Sequence, residues 1–227
     1  MNDRPKVKRR HETVAVRFWK WVRPIVVLVV VMGAIRSSLA DWNDVPTGSM
    51  NPTILEGDRI FVNKLAYDLK VPFTQWRLAR WDAPQRGDII VFESPADGTR
   101  LVKRVVGLPG DVVELRDDRL IINGQAVAYE DIDESASGVR ATELLDSRAH
   151  AIQVLPLVRA MRDYGPVTVE SGHYFVMGDN RDNSLDSRYF GTVRMDLIAG
   201  RAGRVALSVD PNEHYAPRWE RFGKPLP

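Results

Sequence analysis

A serine hydroxyl becomes a nucleophile only when a nearby base removes its proton. Ser49 raises that question first. It follows Gly48 in PTGSMNPTILEGD, Pro46–Asp58, a turn-rich stretch fenced by Pro46 and Pro52. The histidines are His11, His150, His173 and His214. None pairs with another at metal-ligand spacing and HExxH is absent, so metal-assisted hydrolysis has no ligand set to build on. His173 precedes a strand and reads as a surface residue. The nucleophile-elbow pattern GxSxG is also missing, because Thr47 holds its first position.

A lysine amine is the other base that can serve a serine, provided it is neutral. Its pKa must then fall from about 10.4 to about 7–8, which costs the ammonium about 4 kcal/mol. Burial among apolar groups does this. Beyond the N-terminal segment the lysines are Lys64, Lys70, Lys103 and Lys224. Lys70 falls in a turn-rich loop and Lys224 in a Pro-ended tail, so both are expected in solvent. Lys64 ends a strand whose same-face residues are Ile60 and Val62. Lys103 lies in mid-strand between Leu101 and Val105 on one face. Its neighbour Arg104 faces the other way and, never losing its proton, cannot be a base. Spacing favours Lys103 and leaves Lys64 as a rival.

A third run, GDNRDNSLDSR from Gly178 to Arg188, holds three Asp, two Asn, two Ser and two Arg. Such composition reads as a surface loop of Asx turns. It can equally build a set of hydrogen bonds that orients a catalytic group. Asp186 and Arg188, two apart, can form an ion pair on one face.

The elements that must position these residues are mostly strands. DRIFVNKL, DIIVFES, RLVKRVVG, DVVELR, RLIING, YFVMG, GTVRM and GRVALSV all have strand patterns, with PADG, LPGD and Asp117-Asp118 as turns. Residues 66–86, with Pro72, Trp76, Trp81 and Pro84, read as an irregular excursion. Residues 125–170 contain helix-compatible pieces interrupted by Pro156 and read as an insertion on the β scaffold.

Before the strands lies PIVVLVVVMGAI, Pro24–Ile35, the long uncharged apolar run of the chain. Phe18, Trp19 and Trp21 suit an interface, and Lys20, Arg23 and Arg36 can snorkel, so residues 18–40 form a candidate membrane span. Two other readings compete: a buried core helix, and a removable signal peptide ending at Ser38-Leu39-Ala40. Residues 1–23 carry eight basic and two acidic residues, a net of +6, which leaves −4 for the rest of a chain of net +2. That asymmetry excludes an evenly basic nucleic-acid-binding domain. It places residues 1–17, with Lys6, Lys8, Arg9 and Arg10, in the cytoplasm and residues 41–227 on the outer face. There is no Cys, hence no disulfide and no thiolate metal site. The expected architecture is a mainly β domain behind one N-terminal transmembrane helix.

In this order the segments resemble those of bacterial type I signal peptidases, the membrane-anchored Ser-Lys proteases. PTGSMNPTI with GDRIFVNK resembles the family's nucleophile box, RGDIIVF with LVKRVVGLPGD its lysine box, and GHYFVMGDNRDNSLDSRYFG its last box. The matches span residues 45–191. The resemblance implies coiled antiparallel sheets, Ser49 as nucleophile and Lys103 as general base. It implies that Ser184 hydrogen-bonds the lysine, and that the Ser49 N–H and the Thr47 hydroxyl form the oxyanion hole. Many relatives have Ser at the Thr47 position; Thr keeps the hydroxyl with a more restricted rotamer. Asp186 and Arg188 would pair beneath the site, with Gly178 and Asn183 shaping the loop. Pro46, Met50, Ile54, Leu101 and Val102 are the expected lining of shallow pockets for small residues before the cut. No metal or other cofactor is implied. The implied partners are signal-peptide-bearing precursors and the plasma membrane; Trp42, Trp76 and Trp81 suit the bilayer surface, with core packing the competing reading of Trp76 and Trp81. Relatives with two spans differ from this chain, in which one is visible, and residues 125–170 match the family poorly. A protease dedicated to one maturation substrate, and a non-catalytic membrane-anchored β binding module, are the alternatives.

Overall fold

The apolar run forms one helix, Val14–Ser38, in a computed structural model that describes residues 14–74, 76–135 and 138–227. The basic residues Lys6, Lys8, Arg9 and Arg10 and His11 lie outside the described residues. The stretch Phe18–Ser38 is 21 residues long. At 1.5 Å per residue it spans about 32 Å, enough for a hydrocarbon core of about 30 Å. Its apolar window has no residue buried against the rest of the chain, so it is not a core helix. The small-x-small site at its end is built into the folded body. Ser38 is buried, and Ala40 opens a strand, Ala40–Asp44, paired with Asp58–Asn63.

The body is antiparallel throughout its principal sheet. In spatial order the strands are Ala40–Asp44, Asp58–Asn63, Ile198–Asp210, Ile89–Glu93, Arg100–Gly107, His173–Met177 and Val193–Arg194, with Ala216–Pro217 added beside Ile198–Asp210. Ile89–Phe92 are all buried because both faces of that strand are covered. Ile90 and Phe92 pack with Val105, Tyr174, Val176 and Val193; Ile89 and Val91 pack with Met50, Ile54, Ile60 and Val62. A third cluster, around Val106, Val113, Leu115, Leu120 and Phe175, lies under a smaller sheet built on Val112–Arg116 and Arg119–Ile122. Asp117 and Asp118 join those two strands with φ of 49° and 60°, the left-handed pair that a two-residue hairpin turn demands.

Two regions correct the expectations. Residues 125–170 hold strands and no helix among the described residues. Ala128–Ser135, Gly138–Leu145 and Arg148–Val154 form a three-stranded sheet. The Ala, Glu and Leu content favours a helix only weakly, and the period wins: Ala141, Glu143 and Leu145 point inward at every second position. Within 66–86, Asp68–Lys70 and Arg77–Arg80 form a short hairpin rather than irregular chain.

Candidate active site

Ser49 is the middle residue of a single 3-10 turn, Gly48–Met50. Thr47 enters the turn in extended conformation, exposed, with no side-chain bond to it. The turn is pinned from below. Met50 and Ile54 are 1% and 0% exposed, and the Ile54 N–H donates to Met50 O at 2.9 Å. Expected as pocket lining, these two side chains belong to the core and offer no surface to a bound chain, because they are what holds the turn down. Pro46 is exposed and Leu101 and Val102 are half-buried, so those three do reach the surface.

Lys103 lies on the strand Arg100–Gly107 and is 2% exposed, with Nζ 2.6 Å from Ser49 Oγ. Burial lowers its pKa from 10.5 to about 8, against the pull of Asp186 and Asp179 and with the help of Arg188. A fall of that size corresponds to about 3 kcal/mol taken from the ammonium. Lys224 is exposed, and Lys64 and Lys70 are committed elsewhere. Lys64 Nζ donates to Arg36 O and Ser37 O, at the end of the helix. Lys70, expected in solvent, is half-buried and donates to Ile198 O at 2.7 Å, because its hairpin is tied to that segment by Arg77, which donates to Met195 O and Asp196 O.

The run Gly178–Arg188 wraps behind the serine. The Asn180 N–H donates to Ser49 O at 3.1 Å, and its side-chain Nδ2 donates to Gly48 O at 3.0 Å. Asp186 Oδ2 accepts from the Gly178 N–H at 3.0 Å. The same carboxylate takes both prongs of Arg188, at 2.9 Å each. Asn183 is exposed, and its N–H donates to Asn180 O at 3.2 Å. Ser184 departs from expectation. It is buried, but its Oγ has no hydrogen-bond partner and forms no bond to Lys103, whose amine is turned to Ser49 instead.

Gly178 is where the fit is tightest. A Cβ there would stand 2.3 Å from Ser184 Oγ and 2.4 Å from Ser49 O. Gly178→Ala must therefore displace the carbonyl of the nucleophile itself. The expected outcome is a loss of about 10²-fold in kcat, the usual effect of a misplacement near 1 Å. Steady-state cleavage of a peptide substrate, read beside the denaturant midpoint, checks it.

Several site residues were not legible beforehand. Arg104 forks onto Asp179 at 2.8 Å on each prong, both side chains 1% exposed. Burial pushes the Asp179 carboxyl up, and Arg104 more than offsets this and holds it below the usual range. Arg181 donates to Glu143 at 2.5 Å, with His150 Nε2 3.3 Å from Glu143 and 3.9 Å from Asp179. The Gln153 N–H donates to Asp179 O, and the Arg181 N–H to Gln153 O, both at 2.8 Å. So the region 125–170 buttresses the loop that holds Ser49. Its only sequence signal was the inward alternation of Ala141, Glu143 and Leu145.

The lysine strand pairs fully with Ile89–Glu93 but meets His173–Met177 only from Arg104 to Gly107. Arg100 to Lys103 thus form an open sheet edge beside Ser49. On the outside of the body, Trp42, Phe61, Phe73, Trp76, Leu78 and Trp81 are all exposed, so Trp76 and Trp81 are not core residues.

Comparison with known proteins adds a family. The model of the family described as "Signal peptidase, peptidase S26" matches residues 18–206. A signal peptidase I of Pseudomonas fluorescens is 38% identical, the alignment covering 95% of this chain and 81% of the relative. A signal peptidase I of Pseudomonas aeruginosa is 36% identical over the same shares. Signal peptidase I T of Bacillus subtilis is 34% identical, covering 81% of this chain and 82% of its own.

Proposed function

Because the chain belongs to the S26 signal peptidase family, a family of serine endopeptidases that remove signal peptides from exported precursors, we propose that Ser49 and Lys103 carry out that cleavage here. The contact of Lys103 Nζ with Ser49 Oγ at 2.6 Å carries the assignment. The neutral amine takes the Ser49 proton as Oγ attacks the scissile carbonyl. Negative charge grows on the carbonyl oxygen, and the Ser49 N–H and the Thr47 hydroxyl are the donors that the family resemblance assigns to it. Such preorganised donors contribute about 3 kcal/mol each. The Lys103 ammonium then protonates the leaving amine, which is the N-terminus of the mature protein. The acyl ester on Ser49 is hydrolysed by water, with Lys103 again the base. Asp186, Arg188, Gly178, Asn180 and Asn183 hold the loop, and Ser184 fills the space over Gly178.

The substrate approaches as an extended strand. Arg100 to Lys103 offer an unpaired edge to which its backbone can bond. Pro46, Leu101 and Val102 are the apolar surface available to the small residues before the cut. The helix Phe18–Ser38 anchors the enzyme. The basic excess before it supports a cytoplasmic N-terminus and a β body on the outer face of the plasma membrane. The exposed aromatic residues Trp42, Phe73, Trp76 and Trp81 suit the headgroup layer.

A titrating lysine shapes the pH profile. Activity needs Lys103 unprotonated, so kcat/KM should rise about tenfold per pH unit below about 8 and level off above it. A profile flat through that range would contradict a titrating base. The purified full chain in vesicles, given a panel of precursors, should cut several of them after the signal. Cleavage of one cognate precursor alone would make this a dedicated maturation protease.

A further inference from the structure

Hydrolysis makes no use of a cluster of charged side chains where the helix meets the β body. The last carbonyls of a helix lack partners within it. Here Lys64 supplies them, its Nζ donating to Arg36 O at 2.9 Å and to Ser37 O at 3.2 Å. The Lys64 N–H donates to Leu39 O at 3.1 Å. A cation at a helix C-terminus is also favoured by the helix dipole. Asp41 stands at the centre and is 8% exposed. It receives Arg36 Nε at 2.8 Å and lies 3.5 Å from both Lys64 Nζ and Arg100 Nη1. Arg100 donates to Asn43 Oδ1 at 3.2 Å, and it is the first residue of the strand that carries Lys103. A separate strut adds to this: the Phe73 N–H donates to Ser37 Oγ at 2.7 Å, and its ring lies close against Gly33 of the helix. Only Leu39 separates the helix end, Ser38, from the first strand residue, Ala40.

A tether would need none of this. A flexible linker would keep the enzyme at the membrane equally well. What a rigid joint adds is a fixed distance. The apolar part of a signal peptide also spans the bilayer, so its cut site emerges at a set height. Extended chain advances about 3.3 Å per residue, so choosing between adjacent bonds requires the catalytic edge to hold its height to within about that distance.

We propose that the clamp of Lys64, Arg36 and Arg100 around Asp41 sets the height of the catalytic edge above the bilayer and so selects which bond of a membrane-inserted precursor is cut. Asp41 and Lys64 are positioning residues that act through the anchor. The inference rests on the function proposed above.

The test compares two substrates for the full chain in phospholipid vesicles. One is an inserted precursor whose small-x-small motif is repeated, so that a second acceptable bond lies two residues beyond the first. The other is a soluble peptide that contains one such site. For Asp41→Asn and for Lys64→Met, the ratio of the two cuts in the precursor is expected to shift about tenfold toward parity. Cleavage of the soluble peptide should stay within about twofold of wild type. Lys64→Arg, which keeps the cation, should restore the ratio. An unchanged ratio in both variants would overturn the proposal. So would an equal loss on both substrates, which would make the cluster part of the site rather than of the joint. A wild-type enzyme that cuts neither substrate would instead remove the function on which the inference rests.

Discussion

Lys103→Met lowers kcat by about 10⁴-fold, the upper range for loss of a general base, while the protein stays folded. Methionine matches the length of the lysine stem and accepts no proton. Lys103 is 2% exposed, and burial alone already works against its ammonium. Replacing it with an apolar side chain therefore removes a destabilising group rather than a supporting one. Its neighbours do not depend on it, since Asp186 is satisfied by Arg188 and Gly178, and Asp179 by Arg104. Activity and stability should thus separate: an unchanged or raised denaturant midpoint with cleavage nearly lost. Lys64→Met on the same soluble peptide keeps its activity, because that amine is committed to the helix end. Retained cleavage in Lys103→Met, with loss in Lys64→Met, would reverse the base assignment.

Ser49→Ala should cost more, about 10⁶-fold in kcat, as removal of a catalytic nucleophile does. The turn itself survives the change. What holds it is backbone and core: Asn180 bonds to the carbonyls of Gly48 and Ser49, and Met50 and Ile54 are buried beneath. None of these contacts uses the Ser49 hydroxyl. The variant is therefore a clean probe. It should bind precursors and fail to cut them, whereas a non-catalytic binding module would be indifferent to the substitution.

The pair at the centre could be read from the chain because its signals are local. Ser49 is marked by its turn and Lys103 by its mid-strand place among apolar residues, which leaves Lys64 as a rival until the 2.6 Å contact of Lys103 Nζ with Ser49 Oγ is seen. The buttress behind it was hidden because it is assembled across long sequence separations. Glu143 meets Arg181, Arg104 meets Asp179, and Asn180 meets Gly48. Each of these residues, taken alone, is an ordinary polar residue of a strand or loop. The strands of 125–170 were obscured for another reason. Their Ala, Glu and Leu content mimics a helix, and only the two-residue alternation of buried positions separates the cases. The Ser184 expectation failed on geometry that no sequence prints: which way one hydroxyl turns beside Gly178. Met50 and Ile54 failed as pocket residues because an apolar side chain beside a nucleophile can equally serve to hold it in place.

The proposed mechanism passes through a covalent ester on Ser49, formed with a neutral Lys103 as base. That ester can be trapped. The purified full chain is mixed with a signal-peptide-bearing precursor, quenched in acid within a turnover, digested, and the fragments weighed. The expected result is the signal-peptide acyl group on the fragment that contains Ser49, absent from Ser49→Ala. Its initial rate of formation should rise with pH through about 8, the value to which burial brings Lys103. An adduct on another residue, or precursor cleavage by Ser49→Ala at the wild-type rate, would contradict it.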